Sequence, residues 1–263
     1  MIRLQSGGDE AVIHEKGAYL AALRHSGRAV ITEGDPSTPT KAGMAFLAPF
    51  ANRVKGATYV FDGIVYSLPR NSEGNAIHGL LLDREFKVIS SSADSVTLET
   101  VLSHPGYPSQ LSVQVTYSIS EGLLTAEAVI RNLGPRTAPL VVGWHPYFAV
   151  GNLPWRVEAE AFRCEAVDKI PTGKLYYYVF GDDGEYDDCF LVPSGLVKLI
   201  VNGREAVRVV SDSMRYFQIY TGIKGSVAIE PMSGAPDAYH NRMGLTVIEP
   251  SQSVRAGFKA YYS

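Results

Sequence analysis

A glutamate and two histidines stand in settings that could do chemistry. Glu230 lies in AIEPMSGAPDAYHN, between apolar residues of strand type and a Pro/Gly/Asp turn, while His78 lies in NAIHGL and His145 in GWHPYF. One carboxylate and two imidazoles suffice for paired proton transfer at neutral pH. A glutamate of ordinary pKa, about 4.3, is ionised at pH 7 and can accept a proton; a histidine of ordinary pKa, about 6.5, is raised by a nearby carboxylate and can donate one. Pro146 limits strand pairing beside His145, which places that ring at a strand end where a cleft could open, and Pro231 likewise places Glu230 at the end of a strand. Gly79 permits a close backbone approach next to His78.

Each of these residues also has a plainer reading. His145 would serve as a packed histidine capping a strand, His78 as a turn histidine in water, and Glu230 as an exposed carboxylate at a strand end. Arg53, in the polar turn ANRVKG, and Asp187, in an acidic loop, are accounted for by surface ion pairs or solvation. His14, His25, His104 and His240 sit in polar or turn surroundings and are assigned to the surface. The sequence has no HxH, HExxH or Cys/His cluster, no GxGxxG, no phosphate loop and no GxSxG elbow. Metal catalysis, nucleotide binding and serine hydrolysis are therefore not expected. Cys164 and Cys189 could pair in principle, but two cysteines without CxxC spacing make no disulfide scaffold and are expected to be free thiols.

The elements that must position these groups read as strands. Asp-Gly between YVF and IVYSL (59–68) and Asn-Gly between LVKLIV and REAVRVV (196–210) predict tight hairpins. Alternating segments at 86–103 and 111–131, each broken by a short polar turn, predict two more. No segment sustains a helical apolar period for more than about two turns. The expected fold is all-β, a large antiparallel β-sandwich or stacked supersandwich in a single domain spanning 1–263. The segments 103–109 and 181–188 read as loops. A net charge of −3 with 19% charged residues and no basic block argues against a nucleic-acid partner. No stretch approaches the roughly 20 apolar residues of a membrane span, and the first residues lack an apolar signal core, so a soluble cytoplasmic protein is expected.

Taken in order, APFANRV (48–54), NAIHGL (75–80), GWHPYF (143–148), IPTGKL (170–175), Asp187 to Phe190, AIEPMSGAPDA (228–238) and the closing VRAGFKAYY resemble the aldose 1-epimerase, or galactose mutarotase, family. The resemblance implies the family's β-supersandwich and a sugar 1-epimerase. In that role Glu230 is the general base and His145 the general acid, His78 bonds near the sugar ring oxygen, Arg53 and Asp187 hold hydroxyls, and no cofactor is needed. Trp144, Tyr147 and Phe148 could wall the sugar face, some of them serving as core instead. GWHPYF lacks the asparagines that flank this histidine in galactose-type members, so the chain is more similar to the family's compact branch. The neighbouring hexose-6-phosphate 1-epimerases carry an arginine shortly after His-Gly; here Leu82 holds about that position and Arg84 follows. The partner expected is a small sugar, with the chain a monomer or homodimer. Two other classes compete: a non-catalytic sugar-binding or sensing protein on the same scaffold, and a β-sandwich lyase or hydrolase, which would call for a long groove and a tyrosine base or paired carboxylates.

Overall fold

A computed structural model describes residues 1–182 and 184–263. Asp183, within the acidic segment 181–188, lies outside the described residues. The four predicted hairpins all form: Thr58–Phe61 with Ile64–Ser67, Lys87–Ser91 with Ser95–Leu102, Leu111–Ser120 with Leu123–Asn132, and Leu196–Val201 with Arg204–Val210. In the two-residue turns both centres take positive φ, 49° and 74° at Asp62 and Gly63, 50° and 74° at Asn202 and Gly203. That conformation matches the right-handed twist of the flanking strands, and Asn, Asp and Gly are the residues that tolerate it.

Among the described residues the strands assemble into an 11-stranded and an 8-stranded sheet with three two-stranded ribbons. The helical content of the described residues is one turn, Ala238–Asn241, and a three-residue 3₁₀ segment. None of these helices is long and apolar enough to cross a membrane. The fold is the antiparallel β architecture that the sequence predicts.

The smaller sheet shows why it must be covered. Along Leu111–Ser120 every second residue is buried, from Leu111 through Val113, Val115 and Tyr117 to Ile119, while the residues between are partly open. One apolar face therefore packs and the other is solvated. The opposing layer is the larger sheet, whose Trp144 rests against Phe46 and against Phe258 of the smaller sheet and donates its indole N–H to the Tyr117 hydroxyl at 3.2 Å. The larger sheet is buried on its other face too, where Ala45, Leu47, Cys164, Cys189 and Met232 belong to a second apolar cluster. Alternation sends Trp144 and Phe148 into the core between the sheets and turns His145 and Tyr147 toward this second face.

Candidate active site

The larger sheet builds the site at a local interruption of its own ladder. Strand Gly143–Ala149 pairs with Ser226–Met232 at Gly143 with Met232 and again at Tyr147 with Ala228; the residues between them are not paired to each other. Over that stretch His145 pairs with Ala45 and Pro146 with Met44 on the opposite side. Pro146 and Pro231 carry no N–H and fall within the unpaired stretch, so neither strand can complete it. The expectation that these prolines place His145 and Glu230 at strand ends is therefore corrected. Both lie inside their strands, and the prolines open one ladder without ending either strand.

His145 Nε2 stands 3.4 Å from Glu230 Oε1 in this gap. The two residues are 4% and 1% exposed, which removes the plain reading of Glu230 as a solvated carboxylate. Gln218 faces Glu230 across the next pair of strands and gives its amide N–H to Asp187 Oδ1 at 2.9 Å. Lys169 Nζ holds the other Asp187 oxygen at 2.7 Å. The Tyr147 ring stacks on His145 with centroids 4.7 Å apart, and its hydroxyl donates to the Thr40 carbonyl.

A second wall comes from a tight crossing of loops. Arg53, expected in a polar turn, is buried in the short strand Arg53–Val54, paired with Ala76–Ile77. Its Nε donates to Glu73 and its Nη1 to Asn52 Oδ1. His78 follows directly, also buried, with its ring edge-on to His145 at 5.3 Å between centroids. Its φ is 60°, a left-handed conformation that costs a residue with a Cβ about 1–2 kcal/mol. Two backbone bonds fix it there, from His78 N–H to the Asn52 carbonyl and from Leu80 N–H to the Ala48 carbonyl. Gly79 makes the crossing possible, because at its φ of 85° a Cβ would collide with the Ala48 carbonyl. The close approach that Gly79 permits is thus to the protein's own backbone.

Glu230, His145, His78, Arg53 and Asp187 all line one cavity of about 270 Å³. Within or beside it His78 Nδ1, His145 Nδ1, Gln218 Oε1 and Glu230 Oε2 are buried without a hydrogen-bond partner. Unsatisfied buried polar atoms are costly, and several converging on one hollow mark a place where a polar ligand completes them. A cavity of about 620 Å³ near His25 and Tyr262 is larger, yet the described orphan atoms do not gather there. Among the described residues, no group of three or more His, Cys, Asp or Glu is placed to hold a metal ion.

Electrostatics here run against the simplest expectation. Burial pushes the Glu230 carboxyl well above the usual carboxylate range; the Asp187 charge adds to this and Arg53 opposes it. Burial, with a further contribution from His78, holds His145 well below the ordinary histidine value. The expectation that a nearby carboxylate raises His145 is thus corrected: desolvation sets the direction of the shift. For His78, burial and the Arg53 charge lower the pKa to about 4. His78 is therefore neutral at pH 7.

Gln218, Tyr220, Lys169, Glu73 and Asn52 also line the cavity and were not singled out from the sequence. A signal existed for Gln218, an amide at the centre of the aromatic strand YFQIY, where strict burial would otherwise favour an apolar residue. Of the three aromatics considered as a sugar wall, Tyr147 lines the cavity, while Trp144 and Phe148 are core. The surface assignment needs amending for His25, which is half-buried with its Nδ1 against the fully buried Asp9. His240 bonds Asp237 beside the single helical turn.

Comparison with known proteins bears on the fold and the family. The Escherichia coli K12 protein YihR is 29% identical over 99% of this chain and 92% of its own length. A galactose mutarotase of Sus scrofa is 28% identical over 50% of this chain and 41% of its own. Among solved structures, a putative aldose 1-epimerase of Escherichia coli K12 superposes with a TM-score of 0.81 at 20% identity, covering 99% of this chain and 98% of that one. An aldose epimerase homologue of Caenorhabditis elegans gives 0.85 at 17% identity, covering 100% and 98%. The sequence model for aldose 1-epimerase matches residues 1–260, and the chain belongs to the aldose 1-epimerase family.

Proposed function

We propose that this protein is a sugar 1-epimerase that interconverts the α and β anomers of an aldose monosaccharide, with Glu230 and His145 as its proton-transfer pair. The observation that carries this reading is the buried contact of His145 Nε2 with Glu230 Oε1 beside orphaned polar atoms in a cavity of about 270 Å³. That volume lies below the roughly 300–1,000 Å³ of pockets for drug-sized ligands and suits one sugar ring. It does not suit the long groove of a polysaccharide lyase or hydrolase.

The chemistry requires a base and an acid acting together. Glu230 takes the proton of the anomeric hydroxyl, the C1–O5 bond breaks as C1=O1 forms, and O5 receives a proton from His145. The open aldehyde turns about C1–C2 and closes with every transfer reversed, which restores both groups. Before opening the pair is carboxylate and imidazolium; after opening it is carboxylic acid and neutral imidazole. The two arrangements hold the same number of protons. Burial, which raises Glu230 and lowers His145, favours the uncharged arrangement in the free protein, so ring opening starts from the charged arrangement reached by moving one proton from Glu230 to His145. A neutral His78 next to His145 keeps one N–H to donate toward the sugar. Arg53 and Asp187, held by Glu73, Asn52, Gln218 and Lys169, are fixed to bond hydroxyls.

Saturation-transfer NMR of the anomeric protons of α-glucose, α-galactose and glucose 6-phosphate tests the proposal. Catalysed exchange is expected with at least one sugar and should fall about 10²-fold or more in Glu230→Gln, with the far-UV circular dichroism unchanged. Sugar-induced thermal stabilisation without exchange in the wild type would instead identify a binding protein.

A further inference from the structure

The face of the larger sheet that carries Glu230 also carries the chain's two cysteines, which the proton-transfer chemistry does not use. Strand Ala161–Val167 pairs with Asp187–Leu191 at Phe162 with Leu191 and Arg163 with Phe190, so Cys164 and Cys189 occupy the next directly opposed positions. Their sulfurs are 3.5 Å apart, both thiols are free, and both residues are buried. Opposed residues on antiparallel strands have Cα atoms about 4.5–5.5 Å apart, inside the roughly 4.4–6.8 Å span that a disulfide bridges. Side-chain rotation therefore suffices to join them.

Access is asymmetric. A cavity of about 250 Å³ reaches Cys164 between Arg163, Glu165, Ala166, Tyr176 and Asp188, whereas Cys189 does not line it. The register with the strand Ile170–Tyr178 shifts between Cys164 and Ala166, a bulge that interrupts the ladder beside the thiol the cavity reaches. The contact with Cys189 lowers the pKa of Cys164, while burial raises Cys189 well above the ordinary thiol value. Nucleophile and resolving thiol are thereby distinguished.

We propose that Cys164 and Cys189 form a reversible dithiol–disulfide modification site whose oxidant is hydrogen peroxide, with Cys164 attacked first. The Cys164 thiolate attacks one peroxide oxygen, the O–O bond breaks, and the other oxygen leaves as water, which gives a sulfenic acid. The Cys189 sulfur then attacks Cys164 Sγ and expels its hydroxyl as a second water, so two thiols and one peroxide become one disulfide and two waters. Cys189 lies opposite Gln218, which lies opposite Glu230, so the bond forms in the same row of side chains as the proposed catalytic carboxylate. The modification itself does not depend on the sugar reading.

The experiment is to treat reduced protein with hydrogen peroxide, block the remaining thiols by alkylation, and map peptides without reductant. The expected product is a cross-linked Cys164–Cys189 peptide pair, lighter by two hydrogens and reversed by dithiothreitol. In Cys189→Ser the reaction should stop at a dimedone-labelled sulfenic acid on Cys164. In Cys164→Ser, with circular dichroism showing it folded, Cys189 should stay unmodified at the same dose. Wild-type protein that accumulates sulfinic or sulfonic acid without a cross-link, or that keeps both thiols through excess peroxide, would overturn the proposal.

Discussion

His78 shows at a single residue how burial becomes a measurable dependence on pH. Its pKa is about 4 in the folded chain against an ordinary 6.5, so between these values the unfolded state binds more protons. The stabilisation is fully present above pH 6.5 and is lost as pH falls, reaching about 3 kcal/mol near pH 4. Asparagine tolerates the left-handed backbone and cannot titrate, which makes His78→Asn a clean test. Urea unfolding at pH 7 and pH 4 should show a smaller acid loss for the variant than for the wild type, by about that amount. Glu230 contributes with the opposite sign, because its raised pKa makes stability fall as pH rises through the shifted range. Since Glu230 is present in both proteins, its contribution largely cancels in the comparison. An identical acid loss would mean that His78 is hydrated enough to titrate near its ordinary value.

At the scale of elements, the site depends on one loop crossing and one opened ladder. The crossing is tested by Gly79→Ala: the added methyl meets the Ala48 carbonyl at a backbone angle that alanine avoids. Relief requires moving the segment that carries His78 and Leu80, at a cost of at least about 2 kcal/mol. The variant should therefore lose thermal stability, and anomeric exchange should fall even where the protein remains folded; a wild-type melting curve with unchanged exchange would count against the crossing as the support of His78. The hairpins were legible in the sequence because alternation and Asn-Gly or Asp-Gly turns act over a few residues. His78, His145 and Glu230 were legible as odd residues in apolar or glycine-bearing contexts. The ladder gap was not, since a proline beside a strand residue reads the same whether the strand stops there or merely loses a neighbour. Gln218 and Lys169 were missed for a related reason: their roles exist only through Asp187, which reaches them from another strand. The left-handed angle at His78 likewise follows from contacts with Asn52 and Ala48, which no local pattern announces.

Over the whole molecule, the two large sheets hold the proposed proton-transfer pair by bracing the strand that carries His145. Trp144 is fully buried and adjoins His145, and its side chain enters the core that the sheets share. It packs on Phe46 within its own sheet and on Phe258 across the gap, and its indole N–H reaches the Tyr117 hydroxyl. That hydroxyl in turn donates to the Ala18 carbonyl at 2.8 Å, closing a path from the larger sheet to the smaller and back. Trp144→Ala removes the packing and the hydrogen bond together and should cost about 3–5 kcal/mol. For a chain of this size that corresponds to a melting temperature lower by roughly 10 °C. Trp144→Phe keeps much of the ring packing and forfeits the indole N–H, so its loss should be nearer about 1 kcal/mol. If the brace also sets the position of His145, exchange measured well below the melting temperature should fall in Trp144→Ala and recover largely in Trp144→Phe. Destabilisation with undiminished exchange would show that the opened ladder holds His145 by itself and that the sandwich core stabilises the fold without tuning the site.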